Sequence, residues 1–455
     1  MGNVANRSAA RNGLTEGVIW KEMILFFFPI VIGTLFQQLY NTVDAIVVGR
    51  FVGKVALASV GGSAAVITYQ LIMFFTRISN GATVLIAQAY GAKDEKMVED
   101  CLHTAIAFSL IAGAVTTVLG ILLTPAMLHM MGTKGEVLQS ATVYLRVFFA
   151  GITVTLLYNM GSGIMRAVGD SKRPLYYLIV CSISNIGLDV LFVCVFHMGI
   201  AGAALATILA QAVSVVLIIR SLMHSYDILR LDFRKIGIKG KVLIQQLKIG
   251  IPGGIQCLVY GFTNVIIQIS VNLFSTDTIA AWAAYGKVDV LFWAITNAFG
   301  MTASTFAGQN LGAGKKDRIV KSTRWALFMS LVLNSIVLGL MIAFATPVMS
   351  LFTSDDNVTR IGAYMITYLV PSYIIFVFID IFSGTLQGLG DVLIPTMIVM
   401  GGVMLVRLPW LLVMVPRWNN LESILLSYPM GWISTVICII PYYLYRKKKL
   451  GLMER

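Results

Sequence analysis

Apolar residues run along this chain in blocks of about 20 to 30, separated by short stretches in which Gly, Asp, Lys and Arg concentrate. A helix rises about 1.5 Å per residue and the bilayer's hydrocarbon layer is about 30 Å thick, so each block is long enough to cross with some tilt. The pattern predicts twelve spans at roughly 22–48, 55–88, 97–125, 137–166, 174–196, 199–220, 244–273, 278–308, 319–347, 358–388, 392–416 and 421–445, numbered here 1 to 12. The expected fold class is an all-α polytopic membrane protein, because a helix satisfies its backbone polar groups within the span itself.

A second regularity is a fixed offset of 221 residues: Gln88, Gly91 and Ala92 return as Gln309, Gly312 and Ala313, Ser162-Gly163 as Ser383-Gly384, and Gly169-Asp170 with Pro174 as Gly390-Asp391 with Pro395. A constant offset over distant motifs means that two halves share one architecture, which in an apolar chain points to a repeat-built transporter. Six spans per half is an even number, so both halves enter the membrane in the same direction. The expected organisation is an N-terminal six-helix lobe at 1–223, a basic linker at 224–243 and a C-terminal six-helix lobe at 244–455.

Composition and charge sharpen this picture. Among 455 residues, 58% are hydrophobic and 12% charged, and the mean hydropathy is +0.83, too apolar for a soluble chain. The polar start runs directly into a full-length apolar block, so span 1 is expected to be retained rather than cleaved as a signal peptide. With both termini cytoplasmic, about 25 of the 34 Lys and Arg residues fall on the cytoplasmic side. The net charge of +13 is thus mainly the positive-inside bias of a protein in the inner (cytoplasmic) membrane, and no nucleic-acid partner is expected. The densest basic stretch, from Arg220 to Lys248, is expected to lie on the anionic cytoplasmic leaflet. Five cysteines inside apolar segments, without paired spacing, support neither a disulfide framework nor a zinc site.

Ionisable side chains at membrane depth are costly, so Asp44, Arg77, His103, Arg146, Asp189, Lys287, Asp289, Asp380 and Arg407 are functional candidates. Depth narrows the set. Asp44 lies about 9 Å inside the outer end of span 1, and Asp189 and Thr207 lie about 12 Å inside the outer ends of spans 5 and 6. Asn185 precedes Asp189 by four residues and shares its helix face. Two carboxylates, an amide oxygen and a hydroxyl at one level suit a Na⁺ cage, or a carboxylate pair sharing a proton. The offset of 221 puts Val265, Val406, Trp410 and Tyr428 at the matching positions of the second half, so this cluster belongs to one half only. A competing reading has Asp44 paired with Arg50 at the lipid headgroups.

Pro29 and Pro252 occupy nearly matching places in spans 1 and 7 and are expected hinges, since each removes an N–H and crowds the preceding turn. Gln37, Tyr40, Asn41, Tyr69, Asn159, Gln256, Asn264, Asp289, Trp293 and Asp380 are candidates for lining a substrate pocket, against the plainer reading that they bond neighbouring helices. The 22 methionines and 11% aromatic residues suit a surface that repacks around flat cations, and equally suit ordinary packing.

"PIVIGTLFQQLYNTVDAIVVGRFVG", "AQAYGAKD", "FAGQNLGAGKKDR", "GSGIMRAVGDSKRP" and "GTLQGLGDVLIP" together resemble the multidrug and toxic compound extrusion (MATE) family, in its bacterial DinF-like and MepA-like branch. The resemblance runs from about residue 15 to 446. It implies twelve helices in two lobes that export lipophilic, often cationic compounds in exchange for H⁺ or Na⁺, with no cofactor besides that ion. It also implies a cation site on Asp44, Asn185, Asp189 and Thr207, the same four that depth selects. Another branch carries a glutamate on helix 7, where this chain has Gln256 and Tyr260, so a second cation site is not implied. A monomer without enzymatic activity is expected, and no HExxH or triad-like spacing is present. The alternative within transport is a flippase for lipid-linked precursors, which would call for a broad basic cavity.

Overall fold

The computed structural model describes residues 14–224, 226 and 228–452, so most of the polar leader lies outside the described residues. Regular structure among the described residues is entirely helical. Among the described residues, eleven helices are long and apolar enough to cross a membrane: Ile19–Val52, Lys54–Gly91, Glu95–Met130, Lys172–Val195, Gly199–His224, Gly240–Val271, Thr276–Gly312, Lys316–Ala343, Asp356–Gly388, Leu393–Trp418 and Leu421–Lys449. The remaining predicted span, span 4, is a pair, Gly135–Ala150 and Ile152–Ala167, bent by 51°. Gly151 at the break leaves helical geometry (φ −100°, ψ 2°), and Ile208 of span 6 occupies the space a side chain there would need. Hydrophobic length announces one crossing in this region, and the side chain that fills the space beside the break belongs to a helix almost 60 residues away in sequence.

The repeat appears in the backbone residue for residue. Helices start at Ile19 and Gly240, Glu95 and Lys316, Gly135 and Asp356, Ile152 and Tyr373, and Lys172 and Leu393, each pair 221 apart. Their terminations repeat as well. After span 2 the Asp94 N–H bonds to the Ala89 carbonyl, and after span 8 the Lys315 N–H bonds to the Asn310 carbonyl, with Lys93 and Gly314 left-handed (φ 57° and 68°) at the equivalent place. Gly169 (φ 90°) and Gly390 (φ 81°) end spans 4 and 10 in the same way. Asp170 and Asp391, the residues that follow, each hold a tyrosine and an arginine: Tyr226 (2.8 Å) and Arg173 (3.5 Å) in one half, Tyr442 and Arg446 (both 2.6 Å) in the other.

The described chain packs as two compact units, one formed by 28–254 and the other by 14–27 with 255–452. The division falls within helices. Span 1 changes unit between Phe27 and Phe28, one residue before Pro29, and span 7 between Gly254 and Ile255, two residues after Pro252. Both helices continue through their prolines. In the first unit, the segment joining spans 6 and 7 is tied down: Leu229 and Leu231 are buried, the Asp232 N–H bonds His103 Nε2 (3.0 Å), Lys235 pairs with Glu99 and Lys239 with Asp100. The Glu99 carboxylate holds the exposed Lys235 ammonium above its ordinary range. In the second unit, spans 8 and 10 approach through glycine; a Cβ on Gly384 would stand 2.5 Å from the Gly300 carbonyl oxygen.

Candidate functional site

Four of the singled-out residues meet in the first unit. Span 1 is α-helical to Val47 and then passes into a π-helical turn, Val48–Val52, while span 5 is α-helical to Asp189 and passes into another, Val190–Val195. A π turn adds a residue to the helix and re-aims the side chains beside it, which is why such turns gather at functional sites. The two turns pack against each other, and Val48 and Val193 share a buried cluster with Ala203 of span 6. Asp44 and Asp189 lie just before them, and their carboxyl groups are close enough to interact.

Written as carboxylates, both groups are acceptors only. Both oxygens of Asp189, Oδ1 of Asp44 and Oδ1 of Asn185 are buried without a donor. Asp189 is 0% exposed and Asn185 1%. One turn from Asp189, Asn185 offers its Nδ2 to Thr207 Oγ1 at 3.5 Å, and that hydroxyl donates to the Ala203 carbonyl at 3.1 Å. The amide thus points its nitrogen at Thr207, and its oxygen is buried without a donor. Asp44 makes no ion pair with Arg50, which is exposed on the π turn. The arrangement gathers oxygen acceptors and lacks a donor: it can take a proton between the two carboxyl groups or a small cation among the oxygens.

The other candidates are distributed along both units. Tyr40 is buried, while Gln37, one turn earlier on span 1, Asn41 and Tyr69 are exposed. Asn159 donates to the Thr155 carbonyl (2.9 Å) and accepts from Thr76 (3.5 Å). In the second unit, Gln256 is half-buried and Asn264 exposed. Asp289 and Trp293 form one group: the Trp293 Nε1–H donates to Asp289 at 3.0 Å and the Tyr373 hydroxyl at 3.2 Å, and Phe376 stands edge-on to Trp293 at 4.9 Å. Asp380 lies apart from them, pressed against Gly300 where spans 8 and 10 touch.

The MatE sequence profile matches residues 29–191 and again 252–413, which together cover well over half of the chain. The chain belongs to the MatE family. The two matched segments open on the two prolines, Pro29 and Pro252, in keeping with the internal repeat. This MatE protein is 28% identical to the probable multidrug resistance protein YoeA of Bacillus subtilis (strain 168), over 95% of each chain. It is 27% identical to the probable multidrug resistance protein NorM of Thermotoga maritima, over 93% of this chain and 90% of that one. A solved structure described as the outward-facing conformation of a multidrug resistance MATE family transporter of the MOP superfamily superposes with a TM-score of 0.89 at 22% identity, covering 97% of this chain and 98% of that one. The fold is therefore that of a two-lobed MATE transporter, and the protein is a multi-pass membrane protein of a multidrug resistance transporter family.

Two features of this MatE protein escape sequence reasoning. Tyr144, on the first piece of span 4, is 9% exposed and lies within electrostatic range of both Asp44 and Asp189. A tyrosine in a membrane helix is too common to mark itself, and only folding brings it to the acids. The ring cluster of Tyr285, Tyr373, Tyr428 and Trp432 comes from three spans and surrounds the Asp289 group. Sequence position does mark Arg407, which lies over the Tyr428 ring, as an ionisable group at membrane depth, without assigning it a task.

Proposed function

We infer that this protein is a secondary active exporter of lipophilic, often cationic compounds, driven by inward movement of H⁺ or Na⁺ through the Asp44, Asn185, Asp189 and Thr207 cluster. The observation that carries the reading is the pair of facing carboxyl groups without a donor. A buried carboxylate lacking a partner is unfavourable, so occupation by a positive charge changes the energy of this site by a large amount. Transport follows if the occupied and empty clusters prefer different bends of span 1, since only differential binding shifts a conformational equilibrium. Supporting this coupling, Asp44 shares span 1 with Pro29, and the compact units divide one residue from that proline. Pro252 is the matching hinge in span 7.

Gln37, Asn41, Tyr69 and Asn264 are exposed polar side chains on apolar spans. Amide groups at membrane depth are costly against lipid, so they belong to water-accessible surfaces on which a substrate is handled. Asp289 with Trp293 supplies an anionic and aromatic surface for a flat cation. The proposed setting is a monomer in the cytoplasmic membrane with both termini inside, built of lobes 1–223 and 244–455 around the linker 224–243. The basic cytoplasmic segments support that orientation.

Export of a fluorescent cationic dye from proteoliposomes, under a proton gradient and a sodium gradient imposed separately, tests the reading and identifies the ion. Dye movement that follows neither gradient would remove ion-driven export as the function.

A further inference from the structure

The turn that leads into span 1 is gripped by its backbone, from side chains of spans 8 and 9. Four consecutive carbonyls, 14 to 17, accept these bonds. Asn310 Nδ2 donates to Leu14 at 3.1 Å and Lys315 Nζ to Thr15 at 3.0 Å. Arg318 donates through Nη2 to Leu14 (3.2 Å) and Glu16 (2.9 Å) and through Nη1 to Gly17 (2.9 Å). Asn310 is 0% exposed, and its Oδ1 accepts from Arg318 Nε at 3.2 Å, which orients the guanidinium fork toward the turn. Carbonyls outside a helix or sheet need partners, and donors that carry charge are the strong ones.

Packing continues the grip as far as the proline. Met23, Phe26 and Phe27 are buried; Phe26 stands edge-on to Phe306 (6.5 Å) and Phe27 stacks on Phe299 (4.0 Å), both on span 8. Past Pro29 the neighbours change, and Gly33 lies against Leu178 and Leu175 of span 5. Span 1 is therefore fastened to the second unit up to the residue at which the units divide. The repeat shows that this fastening is not part of the shared scaffold. Asn310, Lys315 and Arg318 stand 221 residues after Ala89, Asp94 and Met97, whose side chains offer no such donors. The first unit holds the linker through Glu99, Asp100 and His103 instead.

We propose that Arg318 is the clasp of a strap: by holding the turn 14–17 it pins the cytoplasmic part of span 1 on span 8 and makes Pro29 the point at which the span bends. The proposal rests on the exporter reading, and adds to it the fixed end that a hinge needs in order to transmit movement. The test follows hydrogen exchange by mass spectrometry on the full protein in lipid nanodiscs, reading the peptide 14–27, together with dye binding and gradient-driven dye export. Arg318→Met, which copies the first half at Met97, should speed exchange across 14–27 by at least about tenfold, the scale of losing charge-assisted hydrogen bonds, while the rest of the second unit keeps its wild-type rates. Dye binding should persist and export slow by a similar factor. Arg318→Lys, which keeps the charge but cannot reach three carbonyls at once, should give an intermediate rate and covers the case in which the Met variant does not fold. Unchanged exchange in 14–27, or exchange that rises equally throughout the second unit, overturns the clasp. Export at the wild-type rate from a variant whose strap is released overturns its role in the hinge. The exchange readout needs no gradient, so loss of the clasp is distinguishable from an absence of ion-driven export by wild type.

Discussion

Asp189→Asn keeps the shape of the side chain and removes its charge. Asp189 is 0% exposed, neither oxygen accepts a hydrogen bond, and the group facing it is another carboxyl. No native hydrogen bond is lost in the exchange. The expected stability change is therefore small, within about 1 kcal/mol and of stabilising sign, because an uncompensated buried carboxylate is unfavourable. Ion binding moves the other way. Two carboxylates supply the negative charge of the cluster, and removing one member of a buried charge set costs about 3–5 kcal/mol. At about 1.4 kcal/mol per factor of ten, that weakens ion affinity by roughly 10²- to 4 × 10³-fold. The assay pairs thermal unfolding in detergent with dye export from proteoliposomes under each gradient, and with equilibrium dye binding to confirm an intact protein. Expected are an unchanged or raised midpoint, retained dye binding and lost gradient-driven export. Export at the wild-type rate would refute the coupling role, and a loss of more than about 2 kcal/mol of stability would show that the carboxylate holds the fold instead.

Pro29→Ala and Pro252→Ala should each leave insertion and unfolding midpoint close to wild type while slowing export, because the alanine restores the helical N–H that the hinge lacks; spin-label distances across each proline that narrow to a single population would accompany the loss. Gly390→Ala should cost about 1–2 kcal/mol in unfolding experiments, since φ is 81° there, and Gly169→Ala a similar amount at φ 90°; a neutral result at either position would mean that the turn relaxes. Lys235→Ala with Lys239→Ala removes two exposed pairs with Glu99 and Asp100 and should barely shift the unfolding midpoint, with any difference vanishing at high salt. A large, salt-insensitive loss would show that the linker clasp stabilises the first unit.

Hydrophobic length and the 221-residue offset are properties of the chain alone, and they give the number of crossings and the two-half plan, whereas the starts of matching helices, such as Lys172 and Leu393 against the expected 174 and 392, came from the structure. They do so because crossing a bilayer and terminating a helix are local demands, met by about 20 apolar residues and by a Gly at the left-handed position. Asp44, Asn185, Asp189 and Thr207 were legible for a related reason: polar groups are rare at membrane depth, and depth follows from counting residues.

Tertiary structure decided what counting could not reach. The break at Gly151 packs against Ile208, and the tethering of the linker depends on Glu99, Asp100 and His103, three side chains more than a hundred residues upstream. The π turns beside Asp44 and Asp189 follow no local motif, because an extra residue in a helix is stabilised by what packs against it. The division of spans 1 and 7 between units, Tyr144 beside the acids and the ring wall from Arg407 to Asp289 are likewise products of packing. In each case the energy comes from contacts between helices far apart in sequence, and a linear pattern records only which residues are available to make them.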